Sequence, residues 1–199
     1  MTTTTPAAAD IALPTDFLRA ALVCASTEKS RYYLNGVYLD PTGWIVATDG
    51  HRLFAARCPA VRALPEGLIL PRDTVKAALA KSRRIDATLV ALGGGCYTLD
   101  AGPKTVLFTP IDGHFPDWRR VVPTEASIGG PAHFDPDYYC DLGVMAKALE
   151  CGKTGFYVKQ YPLDACPVTF GTRRDCFAVI MPFRVDPTAF DSAMWLVDE

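Results

Sequence analysis

Long apolar runs are missing from this sequence. The longest, Gly67–Leu70 and Phe177–Met181, fall far short of the roughly 20 residues a membrane helix needs, so no helical span and no membrane partner are expected. Cysteine pairs at metal or redox spacing are missing too. Cys24, Cys58, Cys96, Cys140, Cys151, Cys166 and Cys176 are odd in number and never form Cys-x-x-Cys, so most read as reduced, core-filling thiols. His51, His114 and His133 stand far apart, with neither HExxH nor Cys/His spacing, and no metal or cofactor is expected. No Gly-x-Ser-x-Gly elbow occurs. Cys151-Gly152-Lys153-Thr154 imitates the end of a phosphate-binding loop, but Lys147, inside a helical pattern, occupies the place of the required earlier glycine. Asp49 and His51 have no matching nucleophile, and the chain reads as a non-enzyme with no catalytic residue.

A secretion signal is absent as well. Residues 1–9 have no basic start and no hydrophobic stretch, so they read as a disordered leader, with a cytoplasmic location expected.

What is present suits a folded protein: 199 residues, 49% of them hydrophobic, suffice for one generous core or two modest ones. The formal net charge is −2 but unevenly spread. Residues 1–123 hold 14 Lys+Arg against 11 Asp+Glu, and residues 124–199 hold 6 against 11. That division permits a basic face on an acidic chain and equally permits scattered solvated charge.

One order of signals occurs three times: a short apolar strand, an amphipathic helix, then several strands. Asp10–Leu13 leads the first helix, for which Thr15 or Asp16 is the expected N-cap. Gly67–Leu70 leads the second, whose Val75, Ala78 and Leu79 form an apolar stripe. Ala132–Phe134 leads the third, with Asp135 at the N-cap, Pro136 at the first helical position, and Tyr138, Leu142, Met145 and Leu149 on one face. Strands are expected at 31–38, 44–48 and 53–57, at 87–92, 96–99 and 105–109, and at 156–160, 167–170 and 176–181. The fold class is therefore α+β, three strand-helix-strands units with helices on one face of antiparallel sheets.

Three stretches narrow this further. They are Arg31–Gly36 with Ala47–Leu53 (RYYLNG and ATDGHRL), Asp112–Pro123 (DGHFPDWRRVVP), and Val179–Arg184 (VIMPFR). In wording and order they resemble the bacterial DNA polymerase III beta subunit, the sliding clamp family. The resemblance implies a DNA-clamp fold in which residues 10–123 form one complete domain like the clamp's middle domain. Residues 124–185 resemble the C-terminal half of its last domain, and 186–199, with Phe190, Met194, Trp195 and Leu196, form an amphipathic tail. It further implies a processivity factor that binds duplex DNA without sequence specificity and tethers DNA polymerase or clamp-loader peptides, or else a non-ring relative that sequesters such peptides. A homo-oligomer is expected: the resemblance implies a ring of six domains with two units in each, and four chains of three units would supply those twelve.

By the same resemblance a hydrophobic partner cleft is expected from Leu34, Thr48, Gly50, His51, Arg52, Leu53, Pro116, Arg120, Val121, Val179, Met181, Pro182 and Arg184. Its apolar members would form a trough for aliphatic or aromatic anchors, and Arg52, Arg120 and Arg184 would hold carbonyls or acids at the rim. DNA contact is expected from Tyr32 and Tyr33, and from Arg19, Lys29, Lys76, Lys81, Arg83 and Arg84 on or near the first two helices. A solvated helix end explains the 81–84 cluster equally well.

Overall fold

A computed structural model describes residues 10–123 and 130–184. The leader and the 186–199 tail expected from sequence lie outside the described residues.

The first unit is β1 (Ile11–Pro14), α1 (Thr15–Cys24), β2 (Gly36–Asp40), β3 (Trp44–Thr48) and β4 (Arg52–Arg57). The second is β5 (Leu68–Pro71), α2 (Arg72–Leu79), β6 (Asp86–Gly93), β7 (Cys96–Asp100) and β8 (Thr105–Phe108). The third is α3 (Pro136–Ala148), β9 (Phe156–Val158), β10 (Cys166–Phe170) and β11 (Cys176–Ile180). Every described strand pairing is antiparallel.

The first two units exchange their leading strands. β1 pairs with β6 of the second unit, and β5 pairs with β2 of the first. The result is a sheet of order β1-β6-β7-β8 and a larger one of order β5-β2-β3-β4-β11-β10-β9. The larger sheet runs straight from the first unit into the third, because β11 pairs with β4.

Several local expectations need correction. Residues 31–35 are not strand: Tyr32–Leu34 form a 3-10 turn, and β2 starts only at Gly36. The turn is closed by hydrogen bonds from the Leu34 N–H to the Arg31 carbonyl and from the Asn35 N–H to the Tyr32 carbonyl. Gly36 then lies so close to the Leu70 carbonyl that a Cβ would collide with it. Thr15 and Asp16 do not cap α1; Pro14 occupies the N-cap position without a side-chain bond. β1 feeds directly into the helix, so the Thr15 N–H finds the Ile85 carbonyl (2.7 Å) and its hydroxyl the Arg84 carbonyl (2.7 Å). Asp135 does cap α3, accepting from the Asp137 N–H. The third leading strand is reduced to a single bridge between His133 and Phe183.

The larger sheet is covered on both faces, which explains why β4 is buried along almost its whole length. Phe54, Ala56, Ala178 and Ile180 join the helices in the main core. Leu53, Ala55 and Val179 face the other way, into a second cluster with Leu34, Val46, Ile69, Phe115 and Trp118. A strap of residues 111–122 closes that second cluster. Phe115 stacks on Tyr38 with ring centres 4.6 Å apart, and Trp118 meets Trp44 edge-on at 5.5 Å.

Buried Asp40 anchors the strap. Its Oδ2 accepts from Trp118 Nε1 (3.0 Å) and Arg119 Nη1 (2.9 Å), while Oδ1 accepts from the Thr42 N–H and hydroxyl. Burial pushes the Asp40 carboxyl upward, but the bonds from Thr42, Trp118 and Arg119 outweigh it and hold the group below the usual carboxylate range.

Arg173 fastens the third unit to the first. It donates to Asp16, Asp175 and the Leu149 carbonyl, and its guanidinium lies 5.0 Å from the Phe17 ring centre. Of the seven thiols, Cys24, Cys58, Cys166 and Cys176 are buried, Cys96 and Cys151 half-buried and Cys140 exposed, and all seven are free. Among the described residues no helix is long and apolar enough to cross a membrane, and no group of His, Cys, Asp and Glu could hold a metal ion.

Candidate partner-binding cleft

The turn between β3 and β4 is built by its own side chains. Asp49 Oδ1 accepts from the N–H groups of His51 (2.9 Å) and Arg52 (2.8 Å), Thr48 Oγ1 accepts from the Gly50 N–H, and Gly50 takes φ +93°. The Met181 N–H donates to the His51 carbonyl (2.9 Å), so the chain leaving β11 runs beside this turn. β11 also sets Val179 opposite Leu53.

Where the β3–β4 turn, β11 and the end of the strap converge, Thr48, Gly50, His51, Arg52, Leu53, Val121, Val179 and Met181 line a cleft of about 120 Å³. Leu53 and Val179, each 2% exposed, give an apolar floor, and Val121 (47%) and Met181 (41%) stand out as its lips. Small-molecule pockets usually begin near ~300 Å³, so this one suits a single anchoring side chain.

Five other residues expected here line no part of it. Leu34 is buried beneath, in the cluster that also holds Leu53 and Val179. Pro116 and Arg120 sit exposed on the strap, Arg120 next in sequence to Val121. Pro182 and Arg184 continue the segment beyond Met181, half-buried and exposed respectively.

Arg52 lines the cleft but is not a rim cation waiting for a ligand. Its Nε and Nη2 donate to Asp49 Oδ2 (3.1 and 2.9 Å), its Nη1 donates to Asp141 on α3, and its guanidinium lies 4.3 Å from the Tyr138 ring centre. Burial works against this cation, yet the bonds it donates to Asp49 and Asp141 prevail and hold its pKa above the usual value. A rim role is corrected to an internal one: Arg52 ties α3 to the turn. His51 is exposed and stacks on Tyr138 with ring centres 5.6 Å apart. Arg120 and Arg184, both exposed, form no ion pair among the described residues.

Sequence reasoning missed Asp141, Tyr138 and Asp40. Asp141 lies 89 positions from Arg52 and Trp118 lies 78 from Asp40, so no local pattern signals either partnership.

The residues expected to touch DNA occupy two connections. Lys29, exposed Tyr32 and half-buried Tyr33 lie between α1 and β2. Lys81, Arg83 and Arg84 follow α2, which carries exposed Lys76, and Arg84 pairs with Asp100 at 3.4 Å. Arg19 is already engaged, donating to the Leu79 (3.3 Å) and Ser82 (2.8 Å) carbonyls at the end of α2.

Two units with exchanged leading strands, a sheet continued into a third unit, and an apolar cleft at that junction define a DNA-clamp architecture. The chain belongs to the DNA polymerase III beta subunit family, whose central-domain model matches residues 15–117. It is 38% identical over 122 residues to the beta sliding clamp of Caulobacter vibrioides, covering 50% of this chain and 30% of that protein. It is 36% identical over 101 residues to that of Escherichia coli, covering 47% and 27%. The chain thus spans about a third of the length of the curated relatives it matches. Among solved structures, the DNA polymerase sliding clamp of Caulobacter crescentus superposes with a TM-score of 0.65 at 20% identity, over 93% of this chain and 68% of that one. At that identity the likeness is one of fold.

Proposed function

We propose that this chain is a clamp-like processivity factor: it associates with duplex DNA without reading sequence and tethers polymerase or clamp-loader peptides through the cleft. The observation that carries the reading is the convergence of the β3–β4 turn, β11 and the strap on one small apolar cleft with exposed Val121 and Met181 at its lips. An aliphatic or aromatic anchor of a peptide fills such a recess, and Arg120 and Arg184 supply cations for acidic neighbours. DNA attraction rests on Lys29, Lys76, Lys81, Arg83 and Tyr32, exposed groups that suit phosphate contact rather than base readout. The role is non-catalytic and cytoplasmic, and the working form is a homo-oligomer, with four chains supplying a closed ring.

A second reading is favoured by two observations: Arg19 is spent on carbonyls, and β9 ends the larger sheet with no described strand beside it. In that reading the chain closes no ring and binds or sequesters clamp-binding peptides.

The test pairs two measurements on the full chain. Titration with a fluorescent peptide bearing aliphatic and aromatic anchors should saturate, and failure to bind any such peptide overturns both readings. Retention on circular but not linear duplex DNA selects the processivity factor, and peptide binding without such retention selects the second reading.

A further inference from the structure

The third unit has the parts of a strand exchange but only one side of it. In the first two units, the strand that follows each helix is covered by the other unit's leading strand: β2 by β5, and β6 by β1. β9 holds the corresponding place after α3, and its outer edge pairs with no strand among the described residues.

The leading segment of the third unit is also set as in the second. There the Ile111 N–H, beyond β8, donates to the carbonyl of Ile69, ahead of α2 (3.0 Å); here the Phe183 N–H, beyond β11, donates to that of His133, ahead of α3 (2.7 Å). The spacings to the last strand and to the helix are the same in both units. By this correspondence residues 132–135 stand where 68–71 stand, and 68–71 are β5, an exchanged strand.

The helix repeats the pattern. α1 and α2 pack together within the first pair of units. α3 packs against α1, its Tyr138 and Asp141 engage Arg52 at the start of β4, and its Tyr139 and Gly143 are exposed. Between α3 and β9 lies a groove of about 470 Å³ bordered by Gly143, Lys147, Glu150 and Phe156.

We propose that this face docks on the same face of a second copy of the chain, through a two-fold axis. Residues 132–135 of each copy add to the β9 edge of the other, and the two α3 helices pack beside Gly143. A two-fold contact must be self-complementary, and the groove qualifies because it offers one cation, Lys147, and one anion, Glu150, to its own image. The exchange gives the exposed β9 edge a defined partner. An apolar partner of unrelated sequence would satisfy neither the edge nor the paired charges. The inference stands apart from the peptide cleft, whose floor residues Leu53 and Val179 face away from the helices and whose lining includes none of the residues varied below.

Sedimentation velocity of the full chain across a hundredfold concentration range tests it. The expected result is a reversible two-chain species, or a multiple of it, whose dissociation constant rises at least about tenfold in Gly143→Arg and in Lys147→Glu. Lys147→Glu combined with Glu150→Lys should recover association lost in the single variant. Unchanged melting curves establish that each variant is folded. A monomer at every concentration overturns the proposal, and so does an oligomer whose affinity is indifferent to Gly143→Arg and Lys147→Glu. Peptide binding by the monomeric variants is read separately, so loss of one property does not imply loss of the other.

Discussion

Arg52 and Asp141 lie 89 positions apart and meet as an ion pair that joins the β3–β4 turn to α3. Asp49 holds the other edge of the same guanidinium, so one cation fixes both the shape of the turn and the place of the third unit. The cleft exists because these two are fixed together.

Removing that cation should be costly. Arg52→Met leaves Asp49, 14% exposed, without its partner, and a loss of about 3 kcal/mol is expected in urea unfolding. Asp141 is 38% exposed, so water compensates it, and Asp141→Asn should lose about 1 kcal/mol or less. Equal losses would mean that the pair does not act through burial.

Asp40→Asn should loosen the strap. The substitution removes charge-assisted bonds to Trp118 and Arg119, at an expected cost of about 2 kcal/mol. Trp118 emission should shift to the red as its ring loses cover, a change that unfolding of another region would not reproduce at low denaturant.

The same carboxyl makes stability depend on acid. Its pKa is lowered on folding, so as pH falls the unfolded chain takes up the proton first. The stabilisation is complete above about pH 5 and is lost as pH drops through the folded value, below about pH 4. Melting temperature should therefore fall on that acid limb, and Asp40→Asn should flatten it.

The cleft lips should separate binding from folding. Val121→Ala and Met181→Ala truncate exposed side chains, so unfolding free energy should move by about 0.5 kcal/mol or less. Peptide affinity, measured by fluorescence anisotropy, should fall about tenfold for each. Leu53→Ala, in the floor, should cost about 3 kcal/mol of stability as well.

Thiol labelling should sort the cysteines by burial. Cys140, exposed on α3, should react first with a maleimide. Cys176, which burial pushes up to about 12, and fully buried Cys24 should react only as fast as the chain opens.

The three units were legible in sequence because each carries a local signature: an apolar lead, a helix stripe, strands broken by turns. Val75, Ala78 and Leu79 are buried as their spacing requires, and Asp135 caps α3 as its place before Pro136 requires. Local chemistry also determined the β3–β4 turn, since Asp49 and Gly50 act within a few residues of themselves. The start of β2 was misread because Tyr32, Tyr33 and Leu34 have strand-like side chains, and propensity yields where backbone carbonyls nearby close a turn.

Tertiary structure alone decided the rest. The same apolar character at Leu34, Leu53, Val121 and Val179 gives a buried support, a floor, a lip and a floor, depending on which layer covers each residue. Arg52 reads as a rim cation until Asp141 arrives from α3, and nothing near either residue announces the other. Periodicity and turn chemistry act over a few residues and are written in order along the chain. Partnership between distant charges and the opening or closing of an apolar surface are properties of the assembled layers, so they appear only when the sheet is complete.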